Sequence, residues 1–255
     1  MKTWKRYFSW TVLYDIGRMP FRLLDLLFPP QCRLCGALLT HGSPPTVCQD
    51  CRILVSRLAA PQCLRCGHPV QDSSGESHPC GECLLDSPPF EKARSMGRYE
   101  GLLLRAIHRF KFSGDRSVGE LLGDLMALNH YESFNIDDYS LIIPVPLHPR
   151  RLRQRGFNQS LVLARRIAKR FSVPIDSHIL LKREDRIPQT GLTRAHRKRN
   201  VRNLYTLRKR TSLRGLKVLL IDDVYTTGAT VKECSRMLLK AEAAEVGVLT
   251  AARTL

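Results

Sequence analysis

The sequence predicts an α/β protein in which a parallel sheet flanked by helices follows a small cysteine-rich domain. Three observations predict it. Eight cysteines form four Cys-x-x-Cys pairs before residue 84, apolar strands alternate with amphipathic helices after them, and one apolar strand ends in two aspartates before a threonine-rich loop. The strands are continuous apolar runs, which is typical of parallel sheets that are buried on both faces.

The first 31 residues predict an amphipathic arm. Their longest uncharged run is Tyr7–Tyr14, far shorter than the roughly 20 apolar residues that cross a bilayer. Asp15, Arg18 and Arg22 follow without a small-residue cleavage site, so a secretory signal is not expected. We expect a helix that packs on its own protein, with a peripheral contact to a membrane surface as the alternative.

The four cysteine pairs predict two structural Zn²⁺ sites. Two thiolates on one tight turn bind one side of a zinc ion, and a second pair completes the tetrahedron. Disulfides would require an exported chain. The short gaps favour sequential pairing, although a cross-braced pairing of first with third and second with fourth stays open. Sequential pairing gives one site of Cys32, Cys35, Cys48 and Cys51 and another of Cys63, Cys66, Cys80 and Cys83.

After the cysteines, Asp86-Ser87-Pro88-Pro89 predicts a hinge. The expected segments are therefore the arm (1–31), the cysteine domain (32–87) and the α/β domain (88–255). Apolar periodicity then predicts alternating helices and strands. The helices are Gly101–Phe112, Val118–Tyr131, Phe157–Phe171 and Thr230–Lys240, and the strands are Leu141–Val145, Lys217–Ile221 and Val246–Ala251.

The segment Val218–Thr230 carries the strongest functional signal. Asp222 and Asp223 end its apolar strand, at the edge where open α/β sheets bind ligands. Their carboxylates suit ribose hydroxyls or hydrated Mg²⁺. The loop that follows leads into a helix, and its backbone N–H groups suit a phosphate. A nucleotide-triphosphate P-loop is excluded because the Gly-Lys-Ser/Thr element is missing.

This segment resembles the phosphoribosyl pyrophosphate (PRPP) motif of type I phosphoribosyltransferases. Upstream, Ile143–His148 resembles the strand and pyrophosphate loop of that fold. Three further runs are similar to the competence protein F (ComF/ComFC, GntX-like) family, over roughly residues 24–255. They are Arg155-Gly156-Phe157-Asn158-Gln159, Gln189-Thr190-Gly191-Leu192 and Arg197-x-x-Asn200-Val201.

The resemblance implies a type I phosphoribosyltransferase-like sheet behind a double zinc ribbon. It places the PRPP 5′-phosphate on the loop of Thr226, Thr227, Gly228, Ala229 and Thr230. Asp222 and Asp223 would face the ribose with Mg²⁺, and they are the catalytic candidates if a pentosyl group is transferred. Leu147 and His148 would approach the pyrophosphate.

Two groups of basic residues accompany this implied site. Arg150, Arg151 and Arg155 would neutralise the pyrophosphate, and the alternative is that they form a solvated basic face. Arg194, Arg197 and Lys198 fall in the hood loop, which would close over bound PRPP and exclude water. Either group could also contact DNA.

The charge distribution suggests a larger anionic partner. The chain has 41 Lys and Arg against 23 Asp and Glu, a net charge of +18. Between His148 and Gly215 there are 20 basic and 3 acidic residues, a net of +17. A single pyrophosphate needs only a few positive charges, whereas the backbone of single-stranded DNA binds many.

The resemblance and the charge together give three hypotheses. The first is a PRPP-binding protein that binds single-stranded DNA during natural transformation, at the cytoplasmic side of DNA import or the inner face of the membrane. The second is a Mg²⁺-dependent phosphoribosyltransferase with an unknown acceptor, unrelated to DNA. In the third, the zinc domain docks onto the DNA-uptake machinery.

Overall fold

The computed structural model describes residues 29–39, 47–55, 58, 61–70, 75–184 and 204–255. Almost the whole predicted amino-terminal arm and the whole hood-loop motif, with Arg194, Arg197 and Lys198, lie outside these residues. No helix in the described ranges is long and apolar enough to cross a membrane.

Four parallel strands form the central sheet, and apolar runs predicted three of them. They are β1 (Lys92–Arg98), β2 (Leu141–Pro144), β5 (Lys217–Tyr225) and β6 (Glu245–Arg253), in the order β1-β6-β5-β2. A separate antiparallel hairpin pairs β3 (Leu180–Lys182) with β4 (Tyr205–Leu207). Residues Val218 to Ile221 of β5 are fully buried, which explains why this strand reads as a continuous apolar run.

Seven helices and one 3₁₀ turn are present in the described part of the chain. The helices are α1 (Gln49–Val55), α2 (Gly81–Leu85), α3 (Gly101–Phe112), α4 (Arg116–Leu128), α5 (Pro149–Arg155), α6 (Gln159–Phe171) and α7 (Ala229–Lys240), and the turn is Ile136–Asp138. Helix α4 begins two residues earlier than predicted because Asp115 caps it, accepting a hydrogen bond from the Val118 N–H.

Helices cover both faces of the sheet. Cys234 and Leu238 of α7 share a buried cluster with Val218 and Leu220 of β5. Alternate residues of a strand point to opposite faces, so Leu219 faces the other side, where α6 contacts β5 and β2. Cys234 is completely buried, as expected for a packing residue, and burial raises the pKa of its thiol.

Two compact units make up the chain, residues 1–51 and residues 52–255. The second unit contains the sheet together with the second set of cysteines. Cys63, Cys66 and Cys83 belong to the same buried cluster as the β5 residues Val218 and Leu220. The expected boundary between residues 87 and 88 stays a prediction, and the second cysteine set packs directly on the α/β core.

Candidate functional site

The acidic pair lies inside β5 rather than after it, because the strand continues to Tyr225. Asp222 Oδ1 accepts hydrogen bonds from the Asp223 N–H at 2.9 Å and from the Ser160 hydroxyl at 3.0 Å. Burial, together with the neighbouring Asp223 charge, raises the pKa of Asp222 to about 7. One of the two carboxyl groups therefore changes its charge near neutral pH.

A lysine that the sequence analysis missed neutralises the second carboxylate. Lys111 Nζ, in the last turn of α3, lies 2.8 Å from Asp223 Oδ1. The two side chains are only 18% and 14% exposed, so this ion pair is largely shielded from water. The position of Lys111 in the sequence could have indicated it. Lys111 lies four residues after the buried Ile107 and therefore on the apolar side of α3.

The threonine-rich loop turns sharply into the 12-residue helix α7. Gly228 caps this helix with a φ of +72°, and a Cβ there would clash with the Tyr225 hydroxyl. Both the left-handed backbone and the close tyrosine therefore require glycine. Thr227 Oγ1 accepts from the Ala229 N–H at 3.4 Å. The loop consequently presents the positive end of α7, which suits an anion.

The predicted pyrophosphate loop is tied to the acidic strand by backbone and side-chain bonds. The Val145 N–H donates to the Ile221 carbonyl at 2.9 Å, and Asn158 Nδ2 donates to the Val145 carbonyl at 3.1 Å. Asn158 also caps α6, its Oδ1 accepting from the Ser160 N–H at 3.0 Å. The amino end of α6 thus fixes both the loop and Asp222.

The two residues predicted to approach the pyrophosphate lie in this loop. Leu147 and His148 are both half-buried. The His148 Nδ1 accepts a hydrogen bond from the Arg150 N–H at 3.3 Å and caps α5. In this arrangement the ring nitrogen positions a helix.

Among the predicted arginines, the structure brings Arg155 to the acidic pair. Burial lowers its pKa, and the Asp223 charge opposes that effect. Its guanidinium lies over the Phe112 ring at 5.6 Å and donates to Gln159 Oε1 at 3.2 Å. Arg150 is exposed on α5 and Arg151 is half-buried there.

The eight cysteines form two Cys₄ zinc-binding sites, and the sequential pairing is the one present. Within each set all four sulfurs lie within 4.8 Å of one another. The Cys35 and Cys48 sulfurs are 3.8 Å apart and the Cys66 and Cys80 sulfurs are 3.7 Å apart. A tetrahedral ion with Zn–S bonds of about 2.3 Å separates its ligands by about 3.8 Å, so both sets fit zinc.

Hydrogen bonds favour the thiolate form of one ligand in the second zinc-binding site, Cys63. The Cys80 N–H donates to Cys63 Sγ at 3.2 Å and the Cys66 N–H donates to it at 3.5 Å. With the hydrogen bond from the Cys66 side chain as the largest cause, these donors lower the pKa of Cys63 to about 3 despite its burial. Deprotonated sulfur is the form that binds zinc.

Two buried arginines bond the second zinc-binding site to the sheet. Arg94 Nη1 of β1 donates to the Cys63 carbonyl at 3.4 Å, and Arg253 Nη1 of β6 donates to the Cys66 carbonyl at 2.6 Å. The two arginines are 2% and 3% exposed. The Arg253 guanidinium also lies 4.9 Å from the centre of the Tyr225 ring. The second site is thereby connected to the residue that packs against Gly228.

Two family models match the chain. The double zinc ribbon domain matches residues 23–84 and the phosphoribosyl transferase domain matches residues 158–254. The first contains both cysteine sets, and the second contains the acidic pair and the threonine-rich loop. The phosphoribosyl transferase match begins after Arg155, so Lys111, the predicted pyrophosphate loop and the arginines of α5 lie outside it.

Three curated proteins are similar over most of the chain. DNA utilization protein YhgH of Salmonella typhi is 34% identical, with 90% of this chain and 100% of that protein covered. Competence protein F of Haemophilus influenzae is 30% identical, with 84% and 93% covered. Competence protein ComFC of Bacillus subtilis is 29% identical, with 82% and 84% covered.

Proposed function

The chain belongs to the competence protein F (ComF/ComFC) family, with a double zinc ribbon and a phosphoribosyltransferase domain, and from this premise we propose that it binds Mg²⁺·PRPP and single-stranded DNA. We infer that it handles DNA in the cytoplasm or at the inner face of the membrane. Its thiolate zinc ligands suit a compartment in which thiols stay reduced. The names of the relatives, DNA utilization and competence, support the same role.

One observation carries the PRPP part of the proposal. The acidic pair, two cationic side chains and the helix-capping loop meet at the carboxyl end of β5. PRPP has ribose hydroxyls between a 5′-phosphate and a pyrophosphate. The carboxylates of Asp222 and Asp223 suit the hydroxyls, the loop suits the 5′-phosphate, and Lys111 and Arg155 supply positive charge for the pyrophosphate.

The same carboxylates fit a magnesium ion. Mg²⁺ prefers oxygen ligands and usually keeps several waters while it binds one or two carboxylates and substrate phosphates. Asp222 and Asp223 would hold it, and the bound ion would supply positive charge beside the pyrophosphate. Ser160 and the Asp223 N–H orient the Asp222 carboxylate.

The basic stretch supports DNA as the second ligand. Its net charge of +17 between His148 and Gly215 exceeds what one pyrophosphate needs. Within it, Arg150, Arg153, Arg165 and Arg183 are exposed. Exposed cations that bind phosphates release counterions, so we expect DNA affinity to fall steeply as salt rises.

A phosphoribosyltransferase with an unknown acceptor is the second candidate. The raised pKa of Asp222 favours it, because a carboxyl that titrates near neutrality can accept a proton from an acceptor. The position of His148 favours binding without transfer. Its Nδ1 accepts the Arg150 N–H as a helix cap, so the lone pair of that nitrogen is not available to act as a catalytic base. Release of pyrophosphate in the presence of an acceptor would distinguish the two.

The proposal is tested by titrating one sample with Mg²⁺·PRPP and with a single-stranded oligonucleotide, separately and together. We expect both to bind, and the double variant Asp222→Asn/Asp223→Asn to lose PRPP. Asp137→Asn/Asp138→Asn is the matched control, because this exposed pair precedes β2 and so lies toward the amino ends of the strands. Unchanged PRPP affinity in the first variant, or DNA affinity independent of salt, would contradict the proposal.

A further inference from the structure

A cavity of about 690 Å³ lies beside the pyrophosphate loop. The loop residues Pro146 and Leu147 line one wall, α5 and α6 contribute a second, and the β3–β4 hairpin closes the third. Neither the acidic pair nor the threonine-rich loop lines it. Its volume falls within the range of about 300–1,000 Å³ that is typical of ligand sites.

The cavity has an apolar interior. Leu161, Leu180 and Phe157 line it. The Phe157 ring stacks on the Phe110 ring, with 5.4 Å between the ring centres. At its edges, Leu152 is 41% exposed and Leu181 is 44% exposed. One of these leucines lies on α5 and the other on the hairpin, so apolar surface from both elements is accessible to a flat, uncharged group.

The rim of the cavity is cationic. Arg116, Arg165, His178, Lys182 and Arg183 line it, and none of its described lining residues is a carboxylate. Two of these side chains lie beside neutral groups: the Arg116 guanidinium is 5.8 Å from the Phe157 ring, and Arg183 Nη2 donates to Thr206 Oγ1 at 3.1 Å.

Two arginines away from this cavity are paired with carboxylates. Arg166 of the same helix α6 forms two hydrogen bonds of 2.7 and 2.8 Å with the Asp124 carboxylate, and Arg109 pairs with Asp115 at 2.8 Å. Arg165, the neighbour of Arg166, is exposed at the cavity and makes no ion pair with any residue in the described ranges. Its positive charge is therefore available to an anionic ligand.

We propose that this cavity binds an unpaired base of single-stranded DNA while the rim binds the flanking phosphates. A nucleobase is flat and apolar on its faces, and its backbone is anionic, so a nucleotide matches both the interior and the rim. This inference rests on the proposed DNA binding and states where on the protein a DNA base binds. The cavity shares Leu147 with the predicted pyrophosphate loop, but it shares no residue with the acidic pair or the threonine-rich loop.

Charge argues against the chain's own hood segment as the occupant. Residues 185–203 contain six Lys and Arg and one acidic residue. Their side chains would bring like charges against the rim, which is unfavourable. A nucleic acid brings the opposite charge.

The test compares an oligothymidine with an abasic oligonucleotide of the same length, at low salt, on the full chain. We expect the wild type to bind the thymidine strand about tenfold more tightly, because burial of a base against apolar side chains contributes on that scale. Leu152→Ser/Leu181→Ser should remove this preference and leave PRPP affinity unchanged. Leu239→Ser, an exposed leucine on α7, should keep the preference.

The outcomes separate the cavity from the proposed function. If the wild type fails to bind either strand, DNA binding fails and the cavity assignment fails with it. If the wild type binds both strands equally, or the double leucine variant keeps the preference, DNA binding stands and this cavity is not its base site. Unchanged circular dichroism and PRPP affinity show that the leucine variants are folded.

Discussion

Arg253 Nη1, at the end of β6, donates a 2.6 Å hydrogen bond to the carbonyl oxygen of Cys66. The same guanidinium lies over the Tyr225 ring, and the Tyr225 hydroxyl lies where a side chain on Gly228 would extend. A zinc ligand is therefore connected to the phosphate loop through two residues. A cavity of about 580 Å³ lined by Cys66, Arg253 and Thr226 lies along this connection.

Loss of zinc from the second site should weaken PRPP binding. In Cys66→Ser the thiolate is lost, the turn that carries the Cys66 carbonyl loses its metal, and Arg253 loses a fixed acceptor. We expect one zinc per chain by mass spectrometry, a lower melting temperature and about tenfold weaker PRPP binding by calorimetry.

Cys35→Ser in the first site is the matched control. It removes the other zinc from the unit of residues 1–51. PRPP affinity should then equal that of the wild type. Full PRPP affinity in Cys66→Ser would show that the connection through Arg253 has no effect on the loop.

Comparing Gly228→Ala with Gly215→Ala should separate the effect of backbone strain from the effect of the clash with Tyr225. A left-handed alanine costs about 1–2 kcal/mol, and at this position the new Cβ would also displace the tyrosine. Gly215→Ala is the control, because Gly215 has a φ of +77° and a Cβ there would meet nothing within 4 Å. Both variants should lose stability in urea unfolding, and Gly228→Ala alone should lose PRPP affinity.

The Lys111–Asp223 pair should show strong coupling. Removing one partner of a shielded ion pair leaves an uncompensated charge and costs about 3 kcal/mol. We expect Lys111→Met and Asp223→Asn each to destabilise the protein, and the double variant to lose much less than their sum. The more exposed Lys217–Glu245 pair, at 3.1 Å, is the control and should show at most about 1 kcal/mol. Additive losses at Lys111 and Asp223 would refute the pairing.

Asp222 should make stability depend on pH below neutrality. Its pKa is about 7 in the fold and about 4 in the unfolded chain, so the folded state holds a proton that the unfolded state releases. The contribution of Asp222 to the free energy of unfolding is largest below about pH 4 and falls as the pH rises to about 7. The free energy of unfolding of Asp222→Asn minus that of the wild type should grow over this window and stay constant above it. A difference that is independent of pH would assign Asp222 an ordinary pKa.

Local spacing explains what the sequence analysis predicted. The order of the cysteine pairs, the apolar run of β5 and the two aspartates are each contained in a short segment, so they can be recognised without knowledge of the fold. The sequential zinc pairing and the parallel sheet are confirmed on this basis. Strand β5 extends four residues beyond its predicted end, because its pairing with β6 through Arg253 carries it past the apolar run.

Contacts between distant segments explain what was missed. Strand β1 has the polar sequence Lys-Ala-Arg-Ser-Met-Gly-Arg, and it is buried because Arg94 finds carbonyl acceptors and Ser95 bonds to Thr250 at 2.7 Å. Lys111 was unrecognised because its partner lies 112 positions later in the chain. Helix α5 lacks an apolar stripe and begins where His148 caps it.

The two arginines beside the second zinc-binding site have a consequence for related sequences. Four thiolates around Zn²⁺ carry two net negative charges, and Arg94 and Arg253 place two positive charges against the backbone of the same turn. A natural homologue that replaces one of these cysteines with histidine would have only one negative charge there. We expect such a homologue to carry an uncharged residue in place of one of the two arginines, so the metal ligands and the strand residues should change together during evolution.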